Sequence, residues 1–441
     1  MMTSALVAAV LAGFGPPVEL PAVDPWPRIE AHAELLNVVL FRSDSDFDRT
    51  PPAYDANGQT VGYVGTLLRP RVDFLATSWL RLHYDAELGL NYWSRNDPDV
   101  GDALAKGLMV LKHRQLYAEG ELAEGEAGFR AGYSRFSGAT GLFVNHWIGN
   151  AQLWWSPAPA SRLTLFGGQV PDSTSESIEV GQNNFTRGIT LFGARAAHEL
   201  SARTRVEGSV EAVYDTHVVG RSRVIATPGA RVDGHLGGAT GFVSAALQVG
   251  RLEGEAMGGG AQTLLSWAVQ AHGTLPAGGF EVDLNVMVLS ADDSFEGNGR
   301  DGAFLYSGKS SSATVLLTED ETLDFKDNLD KRMAVRRGGF WQNRAGLAVA
   351  DVKAVWAGER YRPGLIVGAA TVLNPDNANG GLFVGLEADA VFEARISEHL
   401  SGQLLAGTLV PGAAGAALVN RIDLSRTTPV FTASASLRVT Y

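Results

Sequence analysis

The chain of 441 residues contains no cysteine. That excludes disulfide scaffolds, thiolate zinc or iron-sulfur centres and cysteine nucleophiles. Charged residues are scarce at 19%, and they are outnumbered by the 45% that are hydrophobic, so the composition is not that of a disordered chain. There is no excess of positive charge: Asp and Glu number 48 against 36 Lys and Arg, a net charge of -12, which leaves no basic footprint for nucleic acid. Long apolar runs are missing as well. The run from Ala5 to Phe14 is too short for a membrane helix, which needs about 18 apolar residues. It has the length of a signal-peptide core but lacks the basic residues that usually precede one, so an atypical export signal is expected over residues 1–22.

Catalytic motifs are also lacking. The stretch Gly302 to Ser310 has Ala303 where a phosphate-binding loop needs its glycine spacing, and no strand-to-helix context follows it. Asp292 to Gly297 opens like a calcium loop, but Ala303 stands in the place of the closing glutamate. His83 with Asp85, and Asp233 with His235, are i, i+2 neighbours on one strand face and are expected to form lining hydrogen bonds rather than a catalytic pair. No enzyme activity, cofactor or metal is therefore expected.

Strict alternation is abundant. Leu80, Leu82, Tyr84, Ala86 and Leu88 oppose Arg81, His83, Asp85 and Glu87. Val206, Gly208, Val210, Ala212 and Tyr214 oppose Arg205, Glu207, Ser209, Glu211 and Asp215. The same period of two recurs at residues 280–288 and 382–395 and in the last strand, where Phe431, Ala433, Ala435, Leu437, Val439 and Tyr441 share a face. Such segments number about eighteen along the chain, many of them ten to fifteen residues long, which suits a tilted strand crossing a bilayer. Short links such as Gly237 to Gly238 alternate with generally longer ones, among them 43–60, 94–108, 171–187, 291–341 and 411–428. Sandwiches keep polar residues off their buried faces and propellers repeat every 40–50 residues or so; neither pattern is present.

The expectation is an all-β protein: one antiparallel transmembrane barrel over residues 23–441, with short periplasmic turns and long extracellular loops, in a bacterial outer membrane. Mean hydropathy of +0.01 fits this, because an apolar lipid face and a polar lumen face cancel in the average. Aromatic residues near strand ends, such as Trp79, Trp154, Trp155, Trp356 and Tyr441, are candidates for interface girdles. A final amphipathic strand ending on Tyr441 is what barrel-assembly machinery reads in outer-membrane proteins.

With lipid outside, the polar face lines the lumen. The candidate lining is Asp85, Glu87, Glu207, Glu211, Asp215, Asp233, Glu281, Asp283, Glu387, Asp389 and Glu393, accompanied by Arg81, Arg205, Arg231, Arg395 and Arg438. Arg69, Arg71, Lys112, Arg114 and Arg130 lie on strands whose faces are ambiguous. Mixed signs suit cross-strand ion pairs and a hydrated passage for polar solutes. The acidic segment 291–341 is either a loop folded into the mouth as a constriction or gate, or a solvated external loop.

Several motifs resemble the alginate-export family of outer-membrane barrels. Gly385-Leu386-Glu387-Ala388-Asp389 with Leu409-Val410-Pro411-Gly412 is similar to that family's ending, and Ala245 to Arg251 with Leu265-Ser266-Trp267-Ala268 to its middle. Ser290 to Asp293 and Ala303 to Tyr306 resemble the loop entry that follows. The resemblance implies a large barrel that exports a hydrated polysaccharide from periplasm to cell surface with the help of periplasmic export proteins. A lining of mixed charge does not match a polyanion conduit, so the cargo stays open. The alternatives are a general or substrate-selective diffusion porin for small polar solutes and a structural barrel in an envelope-spanning adhesion or motility machine.

Overall fold

The computed structural model describes residues 26–42, 61–89, 110–122, 125–170, 178–179, 188–216, 221–254, 260–293, 299–306, 314, 335–337, 340–419 and 427–441. The expected export signal at 1–22 and most of the long connections lie outside the described residues. Eighteen strands build the wall: β1 (Arg28–Arg42), β2 (Val61–Leu75), β3 (Leu80–Gly89), β4 (Val110–Leu122), β5 (Ala127–Ser137), β6 (Asn145–Ala158), β7 (Ser161–Gln169), β8 (Ile189–Ser201), β9 (Thr204–Asp215), β10 (Ser222–Leu236), β11 (Ala239–Glu253), β12 (Ala261–Ala277), β13 (Phe280–Leu289), β14 (Leu347–Trp356), β15 (Tyr361–Thr371), β16 (Phe383–Arg395), β17 (Leu400–Pro411) and β18 (Val430–Thr440). Each pairs antiparallel with its neighbour, and β18 closes the sheet on β1 from Thr432 opposite Arg42 to Thr440 opposite Glu34. Closure removes both sheet edges, which a strand structure in lipid requires.

Connections of two to four residues, such as Ala202–Arg203 and Gly278–Gly279, alternate with long ones, so every short turn lies at one end of the barrel. That end is periplasmic and the other external. Outward faces are apolar and exposed, as Leu265, Trp267 and Val269 on β12 and Leu284 and Val286 on β13 illustrate. At the periplasmic rim Phe280 packs edge-on to Trp356, and Tyr361 stacks on Phe392, so four neighbouring strands carry one aromatic run at the interface. Trp154 departs from the expected girdle: it turns inward, beneath the Arg162 guanidinium.

The inward face divides in two. In the periplasmic half it is charged. In the external half it is mainly apolar, with Leu191, Val213, Ile225, Leu264, Met287, Leu289, Leu347 and Val349 joined in one buried cluster beside a buried ion pair, Asp215 with Arg223. Chain from the long connections fills the space between them. Phe143 stacks on Phe340 at 4.8 Å, and Phe304, Leu305 and Tyr306 are buried in the same cluster. The expectation of a uniformly polar lumen is therefore corrected: where loops fold inward, the wall must offer them an apolar surface to pack on.

Candidate functional site: the barrel interior

All sixteen candidate lining residues lie on the inward face; half of them are held in cross-strand ion pairs, and Arg205, Arg231 and Asp233 pair along their own strands. On the wall from β1 to β5, Arg69 bridges Glu34 and Glu87, each at 3.3 Å, and Arg114 holds Glu87 at 2.7 Å and Asp85 at 4.0 Å. Arg81 contacts Glu119 at 2.6 Å, and Arg130 from the next strand closes on the same carboxylate. Arg71 pairs with Asp73 at 3.2 Å. These contacts settle the faces of Arg69, Arg71, Arg114 and Arg130, which one strand's sequence leaves ambiguous; the Lys112 side chain lies outside the described set.

The two histidine pairs differ from expectation. His83 Nδ1 meets Asp73 Oδ1 across the strand pair at 2.7 Å, not Asp85. Asp233 receives a two-nitrogen contact from Arg231, at 2.7 and 2.9 Å, rather than one from His235. Directly opposed positions on neighbouring strands are closer than i, i+2 positions along one strand, so register gives His83 to Asp73. Arg231 and His235 both stand two residues from Asp233 on one strand, and the Arg231 guanidinium takes it as a fork of two donors.

A second group lies on β8 to β10. Glu207 joins Arg195 at 3.4 Å and Arg205 at 2.9 Å. Together with Arg231, Asp233 and His235 these residues line a cavity of about 530 Å³. Its outer boundary includes Ser137 at the end of β5 and Gly138 and Ala139 of the connection that follows. Glu211 sits at this boundary, 1% exposed, taking a hydrogen bond from Ser209 Oγ at 3.1 Å and one from the Val144 backbone. Its carboxylate occupies the space a side chain at position 138 would need, which accounts for glycine there. Asp215 and Arg223, both buried, pair at 3.2 Å.

The third group lies on β13 to β18. Arg362 joins Glu281 at 3.0 Å and Glu393 at 3.7 Å, Lys353 adds a contact to Glu393 at 3.8 Å, and Arg438 reaches Glu34 at 3.7 Å. Arg362, Glu393, Arg395, Gln403 and Arg438 line a cavity of about 770 Å³ at the periplasmic end. Asp283 accepts from Thr274 Oγ1 at 2.6 Å, while Glu387 and Asp389 are fully buried nearer mid-barrel.

Several interior residues were not among the candidates. Gln270, Asn285 and Asp351 form a buried amide and carboxylate chain across β12, β13 and β14, with links of 3.1 and 2.9 Å. Gln248 on β11 holds the inward segment 299–306, donating to Leu305 O and accepting from Leu305 N, both at 2.9 Å. Gln342 donates to Asp301, and Asn374 and Asn377 both donate to Asp292 O. Burial and the neighbouring Asp301 push the Asp292 carboxyl above its ordinary range. Of segment 291–341, the described residues Ala303 to Tyr306 and Phe340 are buried against the wall, and most of the remainder lies outside the described residues. Uncharged Gln and Asn among apolar neighbours gave one strand's sequence no sign of this role.

No family model matches the chain, and no curated relative matches it, so the alginate-export resemblance gains no support from either comparison. Solved structures do match. OccK9 (OpdG) of Pseudomonas aeruginosa shares 13% identity at a TM-score of 0.59, over 93% of this chain and 98% of that one. OccK3 (OpdO) of the same organism shares 10% at 0.55, over 95% and 97%. OpdK of the same organism, solved with vanillate, shares 10% at 0.54, over 93% and 98%. These likenesses establish the class of fold: a closed eighteen-strand antiparallel barrel, whose apolar outer surface belongs in a bacterial outer membrane.

Proposed function

We propose that the chain is a substrate-selective diffusion channel for small polar solutes across the outer membrane. The observation that carries this reading is the division of the interior: a charged periplasmic vestibule leads to an external half narrowed by inward-folded segments in an apolar cluster. Charges of both signs on opposing walls suit small solutes that carry polar or ionised groups. Contacts that are numerous and individually weak let a solute enter and leave, which conduction requires. A polymer strand would need a continuous wide hydrated bore, so the packed outer half counts against polysaccharide export. One fold neighbour is an outer-membrane protein that was solved with vanillate, which favours small organic solutes as the first class to test. No energy source or periplasmic export partner is required. Barrel-assembly machinery would read the closing strand through Tyr441, which faces outward at the periplasmic rim.

Liposome swelling with a graded set of solutes tests this. Entry rates should fall steeply between monosaccharides and trisaccharides and should differ between cationic and anionic solutes of equal size. Equal rates for all sizes, or no entry of small solutes, would overturn it.

A further inference from the structure

The wall is not equally closed all round. β11 and β12 pair from Thr240 opposite Thr274 to Glu253 opposite Ala261. β4 and β5 pair only in their periplasmic half, from Leu122 opposite Ala127 to Leu116 opposite Tyr133. Beyond that point β4 continues on β3 as far as Val110, and β5 continues on β6 as far as Ser137. Among the described residues, no strand pair joins 110–115 of β4 to 134–137 of β5.

Two irregularities mark the split. The β3–β4 register shifts between Asp85 and Ala86, and Gly132 on β5 stands at φ +138°, a conformation that favours glycine. Beyond them, the free side of β4 is covered by a two-residue strand, Ile178–Glu179, from the connection between β7 and β8. It pairs antiparallel with β4, Ile178 opposite His113 and Glu179 opposite Lys112.

At membrane depth an open strand edge is unstable, because no water satisfies its peptide groups. The two-residue strand supplies partners, but far fewer than a full neighbouring strand. Residues around the split combine apolar rings with charge; Arg135, on the same stretch of β5, is bonded to Asn145. The Arg114 guanidinium lies 5.3 Å over the Trp147 ring while bonded to Glu87, Tyr133 is buried beside them, and Tyr84 OH meets His113 Nδ1 at 2.9 Å.

We infer that the β4–β5 seam is a lateral portal between the lumen and the outer leaflet, closed here by Ile178–Glu179. Its surroundings fit an amphipathic solute, with the polar head held at the Arg114 and Glu87 network and the apolar body passing the aromatic rings into lipid. Withdrawal of the short strand opens the seam; its return restores the backbone hydrogen bonds. The cargo rests on the channel reading, whereas the opening is a property of the wall and is tested separately from conduction.

The absence of native cysteine makes thiol chemistry specific. Ser134→Cys places an inward thiol beside the seam, and Ser266→Cys places one behind the continuous β11–β12 wall; both serines are buried. Each variant is made in the full chain in proteoliposomes, with and without His113→Cys and Ile178→Cys. Those two residues face each other across an antiparallel pair, within reach of a disulfide. The probe is a long-chain alkyl maleimide confined to the bilayer, added after oxidation. Labelling at position 134 should exceed that at 266 by about tenfold or more, because local opening exposes only the seam, and the disulfide should abolish the excess. Equal labelling at the two positions, or labelling at 134 that the disulfide does not change, would overturn the portal. Migration of unheated and heated samples checks that each variant is a folded barrel.

Discussion

Gln248 on the barrel wall holds Leu305 by both backbone groups: its Nε2 donates to the Leu305 carbonyl and its Oε1 accepts from the Leu305 N–H, each at 2.9 Å. One side chain thus does for an inward-folded segment what a neighbouring strand does for the wall. Ser266 Oγ donates to the same Oε1, which fixes the orientation of the amide. Gln248→Leu should remove both anchors and weaken the attachment of segment 299–306 by about 1–3 kcal/mol. The barrel should still show heat-modifiable migration, while single-channel recordings gain larger and noisier open levels.

Phe143 and Phe340 come from different connections and stack in the outer half. Phe340 is 2% exposed, and Phe340→Ala should cost about 3–5 kcal/mol of local packing. The strands should persist, because their hydrogen bonds do not depend on this contact. Swelling assays should show the size limit for sugars moving upward, with the largest relative gain for the largest solute admitted.

Glu87 is the carboxylate shared by Arg69 and Arg114, and it is almost wholly buried. Removing one member of a buried ion network costs about 3–5 kcal/mol, because its partners keep their charge. Glu87→Gln should therefore lower the urea midpoint of the detergent-solubilised barrel. It should also move the reversal potential in a salt gradient toward anion preference.

Asp292 carries the pH dependence of the inward segment. Its carboxyl lies above the ordinary value of 3.8 because of burial and the nearby Asp301, so the folded state binds this proton more tightly than an unfolded loop does. The stabilisation is complete below the ordinary value and is lost as pH rises through the raised one. Conductance noise attributable to this segment should therefore decrease as pH is lowered from neutral toward 4, the ordinary aspartate range being about 3.9. Asp292→Asn should flatten that dependence, as recordings across the pH range would show.

The outward half of the fold was legible because lipid imposes a single demand on every strand. β12 reads as 262–275 from alternation and is Ala261–Ala277 in the structure. The inward half obeys two demands. Near the periplasm it meets water, and Arg205, Glu207, Arg231 and Asp233 alternate cleanly. Near the cell surface it meets the protein's own loops, and the inward positions of β13 pass from Glu281, Asp283 and Asn285 to Met287 and Leu289, which makes 286–289 an apolar run. Such a run at the long-loop end of a strand was the available sign that chain folds inward. The ion-pair partners were hidden for a different reason: His83 with Asp73, and Arg69 with Glu34 and Glu87, depend on register between strands, which no single segment contains.

The central claim, a selective channel narrowed by its own inward-folded segments, is tested most directly by single-channel conductance of the purified barrel in planar bilayers. Wild-type protein should give a small, steady conductance that increases in both Gln248→Leu and Phe340→Ala. A wide, unselective conductance in the wild type that neither substitution changes would contradict the account.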